Sequence, residues 1–393
     1  MKVQAFKTTA APQQSGQVAA LVDQVSEVNR PLLFCTKTAE VLTNELLALA
    51  EHIAVRILVN RILPCLDMSG NIVETTCLEE LELRSHRTAT KYLDLNQPRS
   101  DERWARLMTV CQEVFFLLVN NQHSTVRRIF YLHENIFRAQ AHVADSLEDL
   151  GCLLNCARRD LNVRATAKGL VYGHLEWRTI EADTWCNCFS TPVTIPSDMR
   201  TIAEMRSNAN TVLIVEKDTV FQKLLDQNAI KFLDQNGLKT ILVTGKGVPD
   251  FSTREMLWVL RHKVIPNARF YALTDADPYG LDIAGIYAFG SLRSTRLRLE
   301  VAGLRWIGFH PSEIAEFRLD DARRLPLSDM DNRRRIALMN RPWIKGRPQW
   351  RSEVDKLGEL RCKAEIEALN QFGEFFLLKD YLLTKLLADH SRN

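Results

Sequence analysis

The sequence predicts a multi-domain α/β protein in which a winged-helix (CAP-like) module precedes a parallel α/β domain. Two observations support this prediction. In the second half of the chain, nearly continuous β-branched runs alternate with helical patterns, which is typical of a buried parallel sheet. Upstream of these runs, a helix, a short helix, a long helix and a predicted hairpin follow one another, which is the order of a winged helix-turn-helix.

An N-terminal extension is predicted over residues 1–95. Residues 1–36 are rich in Ala, Gln, Thr and Ser, and we expect little order where the chain begins. From Thr38 onward, apolar residues such as Val41 and Leu46 recur at three-to-four spacing, which predicts an amphipathic helix. We interpret it as a partner-docking helix, although simple packing would give the same pattern.

Residues 96–180 carry the predicted winged-helix pattern. The stretch DERWARLMTVCQEVFFLLVNN is amphipathic, and Ser124 or Thr125 can cap a short helix over 126–132. A longer helix is predicted at about 137–156, and RRDLNVRATAKGLVYG contains β-type runs around a polar centre, which indicates a hairpin. Winged helices place their third helix in a DNA groove, but many all-helical cores share this order.

The parallel α/β domain is predicted over residues 205–393, after a linker-like stretch at 183–198 that is rich in Pro, Ser and Thr. Its three strand patterns are TVLIVEKD, LKTILVTGKGVPD and ARFYALTDADPYG. Functional groups collect at the carboxyl ends of strands in such sheets. Glu216, Lys246 and the Asp275/Asp277 pair all follow a strand, so we expect them at one edge.

The carboxylates at this edge point to a metal site. Glu216, Asp275 and Asp277 would repel one another and raise each other's pKa unless a cation joined them. Hard oxygen ligands with open positions suit Mg²⁺, which favours phosphate partners. Taken singly, each acid could equally be a helix cap or a turn residue. The chain lacks the GxxxxGK[ST] and GxGxxG motifs, so nucleotide binding has no support.

Composition excludes several classes of protein. Of the 393 residues, 46% are hydrophobic and 25% charged, the balance of a globular protein. The apolar runs are too short to span a bilayer, so we expect no membrane association. The odd count of 9 cysteines favours reduced thiols in the cytosol or nucleus. The net charge of +3 is small, but arginine clusters, including Arg127-Arg128 and Arg293 to Arg298, suggest local phosphate contacts or scattered surface charge.

Several stretches resemble one family, that of the type IIB topoisomerase A subunits, and especially their eukaryotic relatives, the meiotic DNA double-strand-break transesterases. The stretches VEKDTVFQKL, TGKGVPDFSTR and TDADPYGLDI resemble its Toprim blocks, and VRRIFYLHENIF resembles its winged-helix block. Further similarity lies in TAKGLVYG, LRWIGFHPSEI and RPWIKGRPQWRSEVDKLGELRCKAEIEAL. The similar stretches cover roughly residues 100 to 375 in the family's order.

The resemblance implies a function and site residues. Tyr131 would attack a DNA phosphodiester, leaving a covalent 5′-phosphotyrosyl link, and Arg127 would be the neighbouring catalytic arginine. Glu216, Asp275 and Asp277 would hold Mg²⁺. It also implies a homodimer on double-stranded DNA, a topoisomerase VI B-like partner protein with accessory meiotic proteins, and action on chromosomes in the nucleus.

Three further positions match the family pattern, and one departs from it. Lys168, Lys246 and Arg254 match positions implied to contact DNA. Arg128 stands where relatives carry an acid, so this chain lacks that acid as a positioning group for Arg127.

The chemistry of Tyr131 agrees with this resemblance, but alternatives remain open. A free tyrosine has a pKa of about 10 and is a weak nucleophile at neutral pH, so it needs help from a cation. In a helix over 126–132, Arg127 and Tyr131 lie one turn apart, where a guanidinium can stabilise a phenolate and bind phosphate. Alternatives are a buried core tyrosine, the A-type component of a strand-passing topoisomerase VI, a metal-dependent hydrolytic nuclease, and a catalytically idle paralogue.

Overall fold

The fold is taken from a computed structural model of the chain. The structure describes residues 37–58, 65–67, 92–95, 100–154, 156–164, 167–182, 184–290 and 299–391. The predicted disorder of residues 1–36 and the arginine cluster from Arg293 to Arg298 lie outside these residues.

The N-terminal part of the described chain is mainly helical. Its helices are α1 (Ala39–Leu58), α2 (Asp101–Val119), α3 (Val126–Leu132) and α4 (Gln140–Leu153). Its short strands are β1 (Cys65–Asp67), β2 (Tyr92–Asp94), β3 (Ser124–Thr125) and β4 (Val163–Arg164), with a 3₁₀ turn at Arg158–Leu161. Leu42 and Leu46 of α1 share one buried cluster with Leu107 of α2, Ile129 of α3 and Leu147 of α4. The predicted helices therefore form, and their apolar faces build this core.

The C-terminal part contains a six-stranded sheet of mixed direction. Its strands are, in chain order, β5 (Leu170–Gly173), β8 (Val193–Thr194), β10 (Thr211–Val215), β11 (Thr240–Thr244), β12 (Arg269–Leu273) and β13 (Arg305–Trp306). β10 lies in the middle and pairs in parallel with β11 and β12, and β13 extends the sheet in parallel beyond β12. β5 pairs antiparallel with β11. The predicted parallel α/β arrangement is confirmed, with an antiparallel edge added.

A second, three-stranded sheet and the connecting helices complete the fold. The sheet contains β6 (Glu176–Thr179), β7 (Trp185–Asn187) and β9 (Ile202–Arg206). The helices are α5 (Asp218–Asp226), α6 (Ala229–Gln235), α7 (Phe251–Val259), α8 (Pro278–Phe289), α9 (Pro311–Glu316), α10 (Asp329–Met339), α11 (Pro342–Lys345), α12 (Pro348–Leu360) and α13 (Leu383–His390). The remaining strands are β14 (Leu325–Pro326) and β15 (Cys362–Lys363), with a 3₁₀ helix at Ile366–Phe372 and π-helical turns at Leu260–Val264 and Leu377–Leu382.

The central strand β10 is buried on both faces, which explains its nearly continuous apolar sequence. Leu213 and Val215 contribute to one hydrophobic cluster, whereas Val212 and Ile214 contribute to the cluster on the other face. Successive side chains of a strand point to opposite faces, so a strand covered on both sides needs apolar residues throughout.

The predicted hairpin over RRDLNVRATAKGLVYG is wrong. Both β-type runs form strands, but β4 pairs in parallel with β3, and β5 joins the six-stranded sheet by pairing with β11. Of the linker-like stretch at 183–198, the described residues 184–198 are also more ordered than a linker, because β7 and β8 pair with β6 and β5. Short apolar runs predict that a strand forms but not its partner, since pairing is decided by contacts far along the chain.

The helical part and the sheet are tied by a buried ion pair. The Arg159 guanidinium binds Glu255 of α7 and lies over the Phe251 ring. None of the helices within the described ranges is long and apolar enough to cross a membrane.

Candidate active site

Tyr131 lies near the end of α3, the tyrosine helix (Val126–Leu132). The helix begins at Thr125, whose side chain accepts a hydrogen bond from the Arg128 backbone N–H at 3.2 Å. This cap satisfies one of the free N–H groups at the start of the helix. Ile129 is fully buried and anchors the helix, whereas Tyr131 is 54% exposed. The alternative that Tyr131 is a buried core tyrosine does not fit this exposure.

Arg127 contacts the tyrosine ring. Its guanidinium carbon lies 5.6 Å from the centre of the Tyr131 ring, as expected for residues one helical turn apart. The neighbouring Phe130 ring meets Tyr131 edge-on, with 5.3 Å between ring centres. Arg128 contributes its backbone N–H to the cap, and its side chain is exposed. The helix therefore presents a phenol and a guanidinium together on its surface.

A histidine that sequence reasoning missed fixes the end of the tyrosine helix. His133 Nε2 lies 2.8 Å from Glu113 Oε1 of α2. This contact joins the residue that ends α3 to α2. It could not be predicted from sequence because the partners belong to different helices.

Glu216, Asp275 and Asp277 form what we call the acid edge. Glu216 follows β10 and Asp275 follows β12 after Thr274, and Val215 is paired in register with Leu273. This register brings the acids together, so the Asp275 backbone N–H donates to Glu216 Oε2 at 3.1 Å. Asp277 caps α8 by accepting from the Gly280 N–H at 2.6 Å. Glu216 and Asp275 therefore meet at the strand ends, and Asp277 lies two residues further on, at the start of α8.

The electrostatics of the acid edge favour a cation. Burial, together with the charges of Asp275 and Asp277, raises the pKa of Glu216 to about 8. Burial also raises the pKa of Asp275 to about 6, against the opposing effect of Lys217, and raises the pKa of Asp277. Carboxylates that are costly to ionise together are a donor set that a divalent cation would stabilise.

The geometry is that of an open edge rather than a closed cage. Within the ranges that the structure describes, no group of three or more His, Cys, Asp or Glu side chains is gathered closely enough to hold a metal ion. Asp275 Oδ1 and Asp277 Oδ1 already accept backbone hydrogen bonds. Mg²⁺ keeps several waters and needs only one or two protein carboxylates, so the donor set fits this ion.

Comparisons with known proteins decide the family. The sequence profile of the Toprim domain shared by the topoisomerase 6 A subunit and Spo11 matches residues 211–386, and the profile "Type IIB DNA topoisomerase" matches residues 102–163. The chain is 33% identical over 314 residues to human "Meiotic recombination protein SPO11", covering 78% of this chain and 76% of the relative. The chain belongs to the Topo6A/Spo11 family.

Other members of the family are similar over comparable lengths. "Meiotic recombination protein SPO11-1" of Oryza sativa subsp. indica is 36% identical over 285 residues, which cover 72% of each chain. The DNA topoisomerase 6 A subunit of Arabidopsis thaliana is 29% identical over 314 residues, covering 79% of this chain and 71% of the relative. The resemblance inferred from the sequence is thereby confirmed, and the six-stranded sheet lies largely in a Toprim domain.

A segment near the C-terminus of the Toprim domain completes the acid edge. We call residues 362–367 the C-terminal strap. Ala364 pairs with Ala276 between the two aspartates, and the Ile366 N–H donates to Asp275 Oδ1 at 2.8 Å. Sequence reasoning did not connect this segment to the acids, because it lies about 90 residues later and no local pattern indicates the contact.

Lys217, which follows Glu216, was also missed. Its Nζ lies 2.9 Å from Asp275 Oδ2, 3.0 Å from Glu367 Oε2 and 3.4 Å from Glu365 Oε2. Burial alone would lower the pKa of Lys217, but Asp275 and Glu367 raise it above its usual value, so the ammonium group stays charged. A lysine after the first acid carries no signal in the sequence that distinguishes it from a surface lysine.

Two of the three residues predicted to contact DNA, Lys168 and Lys246, lie close together. Lys168 Nζ donates to the Lys246 carbonyl oxygen at 3.0 Å, and Lys246 Nζ lies 3.2 Å from Asp218 Oδ2. These two lysines are therefore neighbours beside the acid edge.

Arg254 does not fit its predicted role. Only 5% of the residue is exposed, and its Nε and Nη2 atoms have no hydrogen-bond partner among the described residues. Burial lowers the pKa of Arg254 to about 10. Since a guanidinium in the interior cannot reach a DNA backbone, we do not assign it a DNA contact.

The tyrosine helix and the acid edge are separate within one chain. α3 packs mainly against α4 and β3, whereas the acids lie at the ends of β10 and β12. Across the described ranges, no hydrogen bond or ion pair joins the tyrosine helix to the acid edge.

Proposed function

We propose that this chain makes the DNA double-strand breaks that initiate meiotic recombination, by a tyrosine transesterification. The observation that carries this proposal is the half-exposed Tyr131 beneath the Arg127 guanidinium, in a chain whose Toprim domain joins Glu216 and Asp275 at the ends of neighbouring strands. The 33–36% identity to the human and rice relatives named as meiotic recombination proteins supports the meiotic role over that of a strand-passing topoisomerase, since identity to the topoisomerase 6 A-type relatives of Arabidopsis and rice is 29–31%.

The proposed domain roles follow the family. Residues 96–180 would act as a winged-helix domain that brings the tyrosine helix to DNA, and residues 205–393 as a Mg²⁺-binding Toprim domain with a C-terminal extension. In the N-terminal extension, residues 1–95, α1 would dock a topoisomerase VI B-like protein. Its exposed apolar residues Val41, Leu47 and Val55 support that assignment, because they lie outside the buried cluster of the helical part.

The chemical step that we propose exchanges one phosphate ester for another. The Tyr131 phenolic oxygen attacks a backbone phosphorus and loses its proton to solvent, the new O–P bond forms, and the bond from phosphorus to the 3′-oxygen breaks. The leaving oxygen takes up a proton and becomes a 3′-hydroxyl, while the 5′ end stays linked to the protein. Arg127 binds the non-bridging phosphate oxygens and stabilises the phenolate.

The Toprim residues would act on the phosphate and the leaving group. Glu216, Asp275 and Asp277 would hold Mg²⁺, which when bound supplies positive charge near the phosphate. Lys168 and Lys246 would bind the DNA backbone beside this edge, where the structure makes them neighbours. The proposal places the tyrosine helix of one protomer at the acid edge of a second protomer on double-stranded DNA, on chromosomes in the nucleus.

The proposal is tested by searching for protein linked to 5′ DNA ends. We expect the unaltered chain, with its partner proteins, to form the adduct and Tyr131→Phe to lose it by at least about a thousandfold, because the nucleophilic oxygen is gone. Tyr172→Phe removes a hydroxyl from β5 and serves as the matched control, with the adduct retained. Breaks without a 5′ adduct would instead indicate a hydrolytic nuclease, and breaks that reseal after strand passage would indicate a component of topoisomerase VI.

A further inference from the structure

Lys217 places a positive charge between two groups of acids. On one side it contacts Asp275 Oδ2 at 2.9 Å, and on the other it contacts Glu367 and Glu365 of the C-terminal strap at 3.0 and 3.4 Å. Together with Glu216, these acids outnumber the single ammonium group at this place. Lys217 therefore neutralises part of the acid edge in the described structure.

Lys217 occupies the oxygen that a metal ion would need. Asp275 has two carboxylate oxygens, and Oδ1 accepts a 2.8 Å hydrogen bond from the Ile366 backbone N–H. The other oxygen, Oδ2, is the one that Lys217 holds. A divalent cation that binds Asp275 through Oδ2 thus competes with the lysine, and the two positive charges repel each other at this distance.

The strap offers the lysine a second position. Glu367 is held in place because its Oε1 accepts a hydrogen bond from Thr219 Oγ1 at 3.1 Å, which leaves Oε2 for Lys217. The Lys217 backbone is fixed where β10 leads into α5, but its side chain is flexible and 26% exposed. The ammonium group already contacts Glu367 Oε2, so it would keep this partner on leaving Asp275.

We propose that Lys217 is an internal cation that holds the acid edge before a divalent metal binds, and that Glu367, with Glu365, receives its ammonium group when the metal displaces it from Asp275. This inference rests on the Mg²⁺ site proposed above. It makes Lys217 and Glu367 positioning residues that set the affinity of the site for the metal.

The proposal predicts opposite effects for the two residues. Lys217→Met removes the competing charge while keeping similar volume, so we expect metal affinity to rise roughly tenfold. Glu367→Gln removes the acceptor that draws the lysine away, so Lys217 stays on Asp275 and we expect affinity to fall by roughly three- to tenfold. A merely structural role would change both variants in the same direction, because both break the same link.

The test is a titration of the purified full chain with Mn²⁺ in the absence of DNA, in which the free ion is followed by electron paramagnetic resonance. Competition with Mg²⁺ assigns the signal to the magnesium site. Lys217→Arg keeps the charge and should bind Mn²⁺ much like the unaltered chain. Lys223→Met is the matched control: it breaks the contact of an α5 lysine with Asn370 Oδ1 (2.5 Å), away from the acid edge, and should leave Mn²⁺ affinity unchanged.

The outcomes separate this proposal from the metal site itself. Unchanged or weaker binding by Lys217→Met, or unchanged binding by Glu367→Gln, overturns the proposal while leaving the Mg²⁺ site intact. If Lys217→Met does not fold, as judged by circular dichroism, Glu367→Gln decides alone. Absence of Mn²⁺ binding by the unaltered chain would refute the metal site and this proposal together.

Discussion

The tyrosine helix and the acid edge carry the proposed chemistry in opposite ways. Tyr131 and Arg127 belong to one helix of 7 residues, are separated by one turn and face solvent. The acid edge draws Glu216 and Asp275 from two strands and is held by Ile366, 91 residues beyond Asp275. Glu216 and Asp275 are buried, and burial together with mutual repulsion raises the pKa of Glu216.

This difference shows where function and stability can be separated. On the tyrosine helix, the residue that anchors the helix is buried and the residues proposed to act on DNA are exposed, so a substitution should affect stability or activity without the other. At the acid edge, the same carboxylates bear the desolvation cost of folding and are the proposed metal ligands. A substitution there should change stability and metal binding together.

The largest effect on stability is expected within the tyrosine helix. Ile129 is fully buried, whereas Tyr131 is 54% exposed two residues later. Ile129→Ala should lower the free energy of unfolding of the helical part by about 2–5 kcal/mol, because it leaves a cavity. Tyr131→Ala should change it by less than about 1 kcal/mol. Urea unfolding measures both, and equal losses would contradict the division of the helix into an anchoring and an exposed face.

The next prediction concerns formation of the 5′ adduct, and it compares the two arginines of the same helix. Arg127 lies over the Tyr131 ring, whereas the exposed Arg128 contributes its backbone N–H to the Thr125 cap. Arg127→Ala should reduce formation of the 5′ adduct by roughly 10- to 100-fold, because a charge-assisted contact to phosphate is lost. Arg128→Ala keeps the backbone cap and should stay within about threefold of the unaltered chain. Equal losses from the two variants would show that general positive charge, rather than position, is what matters.

The parts of this comparison that could be predicted from sequence are the local ones. The short helix over 126–132, its cap at Thr125 and the spacing of Arg127 and Tyr131 all follow from neighbouring residues. The convergence of Glu216 with Asp275 could also be predicted, because parallel strands end at the same edge. In each case one geometric rule was sufficient: helical spacing for the tyrosine helix, and the common edge of parallel strands for the two acids.

What could not be predicted depends on contacts between distant segments. The wrong hairpin arose because β4 and β5 find their partners in β3 and β11 rather than in each other. The burial of Arg254 and the pairing of Ala364 with Ala276 likewise depend on how elements pack. Local propensity carries no information about such pairings.

The smallest effect concerns the pH dependence of stability without metal, and it tests whether the acid edge bears the cost that burial implies. The pKa of Glu216 is raised from 4.5 to about 8, and that of Asp275 from 3.8 to about 6. The folded chain holds these protons more tightly than the unfolded chain. Stability should therefore be greatest near pH 5, the acidic end of the range from pH 5 to 8. It should fall as the pH rises towards 8. We expect a loss of about 1–2 kcal/mol, measured as a decrease in the thermal midpoint in EDTA between pH 5 and 8.

Glu216→Gln provides the control for this prediction, because an amide keeps the shape of the side chain but cannot ionise. Its midpoint should fall less with pH than that of the unaltered chain, and the two curves should separate most near pH 8. Mg²⁺ should also flatten the unaltered curve, because a bound cation favours the ionised acids, but it should change the Glu216→Gln curve little. A midpoint that rises with pH in the unaltered chain, or parallel curves for the two proteins, would mean that Glu216 is already ionised and compensated without metal. The acid edge would then resemble the tyrosine helix, with function separable from stability.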